Sequence, residues 1–160
     1  MWKNMQMKKN EKGITLIALA VMMIVMVIIL SITTYSGISS VKESSKKKLT
    51  SELEIVQHAV LEVYTKYQIF NDISYLVGDK IQSINDIPTE YRDSLKVKNI
   101  AFSSNNRTES SYYKLDENKL KDIGIEESNY QYIVCYKTGE VMNITVKKTS
   151  NGELLYASFE

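Results

Sequence analysis

The stretch ITLIALAVMMIVMVIILSI, from Ile14 to Ile32, decides how this chain is organised. It contains no charged residue, and its only polar side chains are those of Thr15 and Ser31. As a helix, a stretch of this length is about 28 Å long, close to the hydrocarbon thickness of a bilayer. A helix that is apolar on every side can also lie inside a large core, but a chain of 160 residues is too small to surround it. The sequence therefore predicts a membrane-spanning helix.

The charges that flank this stretch predict how it crosses the membrane. Lys8, Lys9 and Lys12 precede it, and positive residues favour the cytoplasmic side. Lys42 and the run at 46–48 follow it, but only after a Ser/Thr-rich segment. A cleavable secretory signal is the main alternative, although its apolar region is about 7–15 residues long, and no A-x-A pattern follows here. We expect a cytoplasmic N-terminus and an extracytoplasmic C-terminal part.

Beyond the predicted span, apolar residues recur at alternating spacings of four and three, the pattern of an amphipathic helix. These residues, which we call the helix seam, are Leu49, Leu53, Val56, Val60, Val63 and Tyr67. No proline occurs between Ile14 and Tyr67, so one continuous helix is predicted, with Gly37 as its soft point. The seam covers fewer than three heptads, too few to favour a coiled coil. We expect it to pack against a sheet formed by the same chain.

The last third of the sequence predicts three consecutive antiparallel strands, because segments rich in aromatic and β-branched residues alternate with turns that contain glycine. The predicted strands are residues 130–136, 141–147 and 153–158. In the middle strand Met142, Ile144 and Val146 alternate with Asn143 and Thr145. This alternation predicts that the three apolar residues face the helix seam and that the two polar residues face water.

The segment between the long helix and these strands has a weaker pattern. Residues 71–111 include the only proline, Pro88, several short apolar clusters and a polar tract. We predict a loop with one or two short helices and a strand at 96–102. A further short helix is predicted from Lys114 to Ile123.

The sequence lacks the residue patterns of an active site, a metal centre or a nucleic-acid surface. His58, the only histidine, lies off the helix seam and is expected to face solvent. Cys135, the only cysteine, lies in an apolar predicted strand, which favours a buried thiol and excludes an internal disulfide. Acids near Asp116 lack the spacing of a calcium-binding loop and suit the start of a helix. With a net charge of +1, no nucleic-acid partner is expected. No catalytic residue, cofactor or metal is expected either, because the residue patterns that such sites require are absent from the sequence.

The junction before the apolar stretch carries a family resemblance. The run KKNEK at 8–12 ends in Gly13 and is followed by ITLI at 14–17. This junction resembles the prepilin peptidase site of type IV pilins and type II secretion pseudopilins. The resemblance implies cleavage between Gly13 and Ile14 on the cytoplasmic side, methylation of the new amine and retention of the apolar helix. The segment YIVCYKTGEV at 132–141 is also similar to a hairpin of clostridial pilin-like proteins.

One position departs from the family pattern. The family usually has a glutamate at the fifth residue after the cut, where this chain has Ala18. In the family that carboxylate is thought to pair with the N-terminal amine of the adjoining subunit. The departure favours a minor subunit, one at the tip for example, or a Gram-positive branch of the family that does without the glutamate.

Together these patterns predict an α+β protein in which a long N-terminal helix packs on a small antiparallel meander of about three strands, as in pilins. The predicted parts are a basic leader at 1–13, a transmembrane or filament-core helix at 14–35, its amphipathic continuation at 36–70 and an extracytoplasmic head at 71–160. The resemblance implies a non-enzymatic filament subunit whose partners are membrane lipid, prepilin peptidase, other pilin-like subunits and an assembly platform. The alternative is a membrane-anchored binding module that does not polymerise. Secretion, DNA uptake, adhesion and motility all remain open to such a subunit.

Overall fold

A computed structural model describes the backbone of residues 3–159 and the side chains of Leu16, residues 18–27 and residues 42–159. The chain divides into two compact units, Met1–Ser44 and Ser45–Glu160. Helix α1, Lys3–Phe70, supplies the described part of the first unit and the beginning of the second. It ends at Asn71, whose φ of 51° lies in the left-handed region that asparagine tolerates and whose N–H donates to the Tyr67 carbonyl.

The second unit confirms the predicted α+β class and the antiparallel sheet. The sheet has five strands in the order β1-β2-β3-β4-β5, each antiparallel to its neighbour. The strands are β1 Asp79–Lys80, β2 Tyr112–Leu115, β3 Tyr132–Cys135, β4 Glu140–Asn143 and β5 Tyr156–Ala157. The helices after α1 are α2 Lys98–Ala101, α3 Glu117–Asp122 and 3-10 turns at Ile73–Tyr75, Ile84–Asp86 and Thr89–Tyr91.

The prediction of about three strands is wrong because two strands form from residues without a clear strand pattern. Strand β2 includes Lys114 and Leu115, the first two residues of the helix predicted from Lys114 to Ile123. That helix, α3, starts only after Asp116, whose carboxylate accepts the N–H of Lys119 at 3.0 Å and caps it. Strand β2 pairs with β3 over its whole length, and β1 then pairs with β2.

The predicted strand at 96–102 is also wrong, because this segment forms helix α2. The N–H of Ala101 donates to the Val97 carbonyl at 2.9 Å, a helical i to i−4 bond. That turn places Val97 and Ala101 on one face against the core, while Ile100 is exposed. A strand would place the polar Asn99 on the same face as Val97 and Ala101, whereas Asn99 is exposed in the helix, so packing against the sheet favours the helix.

The sheet is buried on both faces. On one face the helix seam packs against Tyr113, Val134, Tyr136 and Val141 in what we call the helix-side core. On the other face, residues from 81–101 cover the sheet in what we call the loop-side core. Its members are Ile81, Ile87, Tyr91, Leu95, Ala101, Tyr112, Ile133, Cys135 and Met142.

The predicted orientation of the middle strand is therefore wrong. Val141 belongs to the helix-side core, whereas Met142 and Ile144 pack in the loop-side core. Asn143 was expected to face water but is 1% exposed. Because a second layer covers the outer face of the sheet, both faces of β4 are buried, and the alternation of polar and apolar residues does not mark a solvent face.

Strand β4 is shorter than the predicted 141–147 because Asn143 ends it. Its Oδ1 accepts the N–H groups of Thr145 at 3.0 Å and Val146 at 2.8 Å, so these amides leave the sheet ladder. The hydroxyl of Tyr91 lies 2.8 Å from the Asn143 carbonyl and 2.8 Å from the Lys147 carbonyl, across the resulting bend. Strand β5 is likewise reduced to two residues of the predicted 153–158.

We expect Leu53→Ala to lower the free energy of unfolding of the second unit by about 2–4 kcal/mol, because it opens a cavity between helix and sheet. Leu61→Ala is the matched control on the same helix: Leu53 is 6% exposed and Leu61 is 41% exposed. The control should cost less than about 1 kcal/mol. Urea unfolding of the full chain in detergent, followed by the near-ultraviolet circular dichroism of its tyrosines, measures both. Equal costs for the two variants contradict the observed burial.

Candidate interaction surface on the N-terminal helix

The first unit presents an unbroken apolar surface. Leu16, Leu19 and every residue from Val21 to Val27 are between 47% and 71% exposed. Seven consecutive residues at about 100° per residue cover all sides of a helix, so no polar face remains in this stretch. Exposed apolar area of this extent costs free energy in water, so this surface is the candidate interaction surface of the described residues.

Several sequence-predicted residues fall outside what the structure describes. The side chains of Lys8, Lys9, Lys12, Gly13 and Ile14 are outside the described set, as are parts of the predicted span. Ala18, at the position of the family glutamate, is described and exposed. Within the described residues, no helix has an apolar stretch of the length needed to cross a bilayer.

The helix seam lies in the second unit, where it faces the sheet. Leu53, Val56, Val60 and Val63 are buried, and Leu49 and Tyr67 at its two ends are half-buried. The ring of Tyr67 stacks on that of Tyr64 with centroids 6.1 Å apart, and its hydroxyl lies 3.4 Å from a carboxylate oxygen of Glu109. The seam thus binds α1 to the sheet, which makes it a structural surface.

The side chains that could carry chemistry lie in different layers of the fold. His58 is exposed on α1, and Cys135 is buried in the loop-side core. Burial raises the pKa of the Cys135 thiol, which keeps it protonated and unreactive. Across the described part of the chain, no three His, Cys, Asp or Glu side chains lie close enough together to hold a metal ion.

Sequence reasoning missed a fully buried carboxylate, that of Glu140 at the start of β4. It accepts hydrogen bonds from the Tyr112 hydroxyl at 2.9 Å, the Tyr156 hydroxyl at 3.1 Å and the Lys96 backbone N–H at 2.9 Å, and also from the Thr138 hydroxyl. These donors replace the water that a buried charge loses. The sequence signal that could have identified Glu140 is its position two residues before Met142, because residues two apart lie on the same face of a strand.

The tyrosines around Glu140 hold their protons strongly. Burial, reinforced by the nearby Glu140 charge, raises the pKa of Tyr156 to about 12. The same two causes raise the pKa of Tyr112 further. The carboxylate therefore fixes these phenols in the neutral, donating form, and its bonds connect β2, β4, β5 and the segment before α2. This network is a crosslink within the fold.

Comparison with protein-family models, curated proteins and solved structures finds no match. Two features distinguish the chain: an apolar helical surface without a polar side, and a separately packed unit whose buried polar groups are mostly engaged within the fold.

We expect the second unit to lose stability between pH 10 and pH 12. The pKa of Tyr156 rises from 10.0 to about 12 on folding, so the stability that its neutral form contributes is complete below pH 10 and is lost as the pH rises through about 12. Tyr132, whose pKa is also raised to about 12, adds to the loss. Urea unfolding at successive pH values should show the decline, and Tyr156→Phe should make it shallower. A free energy of unfolding that is constant over this range contradicts the expectation.

Proposed function

We propose that this chain is a structural, minor subunit of a type IV pilus or type II secretion-like filament, cut by a prepilin peptidase after Gly13 and assembled through its N-terminal helix. The observation that carries the proposal is the exposed apolar surface at 21–27, which follows the leader-like junction Gly13-Ile14 in the sequence. The role is one of assembly, and it requires no catalytic residue.

The energetics of such a subunit suit this surface. In a bilayer, lipid tails cover the apolar side chains, and in a filament the helices of neighbouring subunits cover them, so assembly exchanges one apolar environment for another. Met22, Met23 and Met26 lie within the surface and are exposed. Their flexible side chains adapt to either lipid or a facing helix. Transfer into a filament thus requires no large free-energy change in the apolar contacts themselves.

The proposed partners follow from this route. Membrane lipid holds the subunit before assembly, with the lysines before Gly13 on the cytoplasmic side and the second unit outside. The peptidase removes the leader, and an assembly platform and other pilin-like subunits receive the mature chain. Ala18 supports the assignment as a minor subunit, because a methyl group cannot form an ion pair with the amine of an adjoining subunit.

Processing gives the first test. In cells that contain a prepilin peptidase, mass spectrometry should find a mature chain that begins with N-methylated Ile14. Cells without the peptidase are the control and should retain the intact leader. Gly13→Val should also block the cut, because a branched side chain crowds the peptide bond. A mature N-terminus at any other residue in peptidase-containing cells rules out the proposed processing.

A charge on the apolar surface gives the second test. We expect Ile24→Lys to reduce membrane retention and filament incorporation strongly, since a charged residue in the middle of a span costs about 2.5–3.5 kcal/mol. Ile55→Lys is the matched control, because Ile55 is a similarly exposed isoleucine of the same helix within the second unit. Membrane fractionation and filament pull-down measure both variants. Equal effects of the two substitutions contradict the proposal.

Cross-linking separates the filament subunit from a tethered module that never polymerises. Met23→Cys places a thiol on the apolar surface, while the native Cys135 is buried and unreactive. In sheared filaments from processed cells, an added thiol oxidant should join neighbouring helices as disulfide-linked dimers, because each chain carries one accessible thiol. A chain that is processed and retained in the membrane but gives no dimer supports the tethered module instead.

A further inference from the structure

The apolar surface of the first unit has two chemically different sides. One side carries the long side chains without a branch at Cβ, which are Leu16, Leu19, Met22, Met23 and Met26. At about 100° per residue, these five positions fall within an arc of about 120° around the helix. Their side chains are between 61% and 71% exposed. We call this side the methionine face.

The remaining circumference carries side chains of another kind. All of them are alanine or β-branched: Ala18, Ala20, Val21, Ile24, Val25 and Val27. A β-branched side chain holds nearly one χ1 rotamer in a helix, whereas methionine has three rotatable bonds and a polarisable thioether. The methionine face is thus the adaptable side of the helix. Among the described side chains from Leu16 to Val27, sulfur occurs on this side alone.

The described methionines occupy two environments. The three on the methionine face are exposed, whereas Met142 is 0% exposed within the loop-side core. Oxidation of a thioether requires contact between its sulfur and the oxidant, so access decides which methionines react. A small oxidant therefore reaches the methionine face long before it reaches Met142.

A hydroperoxide can oxidise these thioethers without any further reactant. The sulfur lone pair attacks the terminal oxygen, an S–O bond forms and the O–O bond breaks. The sulfur loses two electrons to the departing oxygen, which also takes the proton of the hydroperoxide and leaves as an alcohol, or as water when the oxidant is hydrogen peroxide. The product is methionine sulfoxide, and methionine sulfoxide reductases reverse the change.

A sulfoxide on this face has no hydrogen-bond donor beside it. No described side chain from Leu16 to Val27 carries an N–H or O–H group, and the backbone N–H groups of a helix already donate within it. A facing helix with the same apolar surface offers no donor either. Burying the S=O group in a contact between helices therefore leaves a strong acceptor unpaired, which disfavours the contact.

We propose that Met22, Met23 and Met26 form a redox-sensitive site: hydroperoxides oxidise them to sulfoxides while the face is uncovered, and the sulfoxides block packing against the helix of a neighbouring subunit. This site regulates the assembly surface of the proposed function and therefore depends on that function. A subunit already packed in a filament encloses the three sulfurs and resists the oxidant. The site thus acts on subunits that await assembly, and reduction makes them competent again.

Peroxide treatment of the full chain in detergent micelles tests the selectivity of the site. Hydrogen peroxide is added, catalase stops the reaction, and tandem mass spectrometry measures the sulfoxide at each methionine. We expect Met22, Met23 and Met26 to oxidise about tenfold or more faster than Met142, because local opening must precede reaction at a buried sulfur. Equal rates at the exposed and buried methionines overturn the proposal.

Filament incorporation tests the consequence. Cells express the chain during a brief exposure to hydrogen peroxide, and the sulfoxide content of sheared filaments is compared with that of the membrane pool. Sulfoxide at the three positions should be depleted about tenfold or more in the filaments, because the oxidised chain packs poorly. Equal sulfoxide content in the two fractions overturns the proposal.

Substitutions separate the site from general effects of peroxide on the cells. The triple variant Met22→Leu/Met23→Leu/Met26→Leu keeps an apolar face of similar volume without sulfur, so its incorporation should not fall with peroxide. Met142→Leu is the matched control and should remain as sensitive as the native chain. Equal peroxide sensitivity of the triple variant and the native chain overturns the proposal.

Reduction gives the last readout. Methionine sulfoxide reductases expressed after the exposure should restore the incorporation of the native chain, and failure to do so when the sulfoxides have been reduced also overturns the proposal. A native chain that is absent from filaments before any peroxide is added contradicts the proposed function itself. Incorporation that is normal without peroxide and insensitive to oxidation contradicts the redox-sensitive site alone.

Discussion

The alternation of side chains along β3 is the constraint on which the second unit depends. Tyr132 and Val134 contribute to the helix-side core, and Ile133 and Cys135 contribute to the loop-side core. All four are at most 1% exposed, so the strand has no solvent face. Because the loss of either covering layer would expose two of these side chains to water, the packing of β3 requires both layers. The long helix therefore does more than position the sheet: it completes one of its two cores.

Polar groups define the edges of the loop-side core. Glu140 connects its strand to the segment before α2, and the Tyr91 hydroxyl bridges the bend that Asn143 creates. Each group lies where the regular ladder of β4 begins or ends. A network of this kind favours one arrangement of the covering layer, because an incompletely bonded alternative leaves charge or carbonyl groups buried without partners. By contrast, Glu52 Oε2 is buried without a hydrogen-bond partner among the described residues.

The parts of the molecule that the sequence predicts are those in which the information is local. The helix seam follows from a 3.6-residue period, and β3 to β5 follow from β-branched and aromatic residues separated by turns. Strand β1 and helix α2 have only two and four residues, so no period develops within them. The loop-side core joins Tyr91 to Met142 across a long sequence separation. Because of this core, Met142 faces away from the helix seam, and local alternation cannot predict that orientation when both faces of β4 are buried.

The same distinction applies to the sites. The apolar surface at 21–27 is contiguous in sequence and belongs to the predicted span. Glu140 instead falls between two predicted strands, and only the covering layer shows that it is buried. Its hydrogen-bond partners Lys96, Tyr112 and Tyr156 lie far apart in sequence, so only folding brings them together.

Cys135, the single thiol of this sequence, is shielded by the two layers that enclose β3. An alkylating reagent reaches its Sγ only when one of those layers separates from the sheet. When the layer recloses faster than the reagent reacts, the rate of modification reports the equilibrium population of opened molecules, without an added label. Mechanical load that favours opening would increase that population, and each chain that had reacted would stay permanently marked.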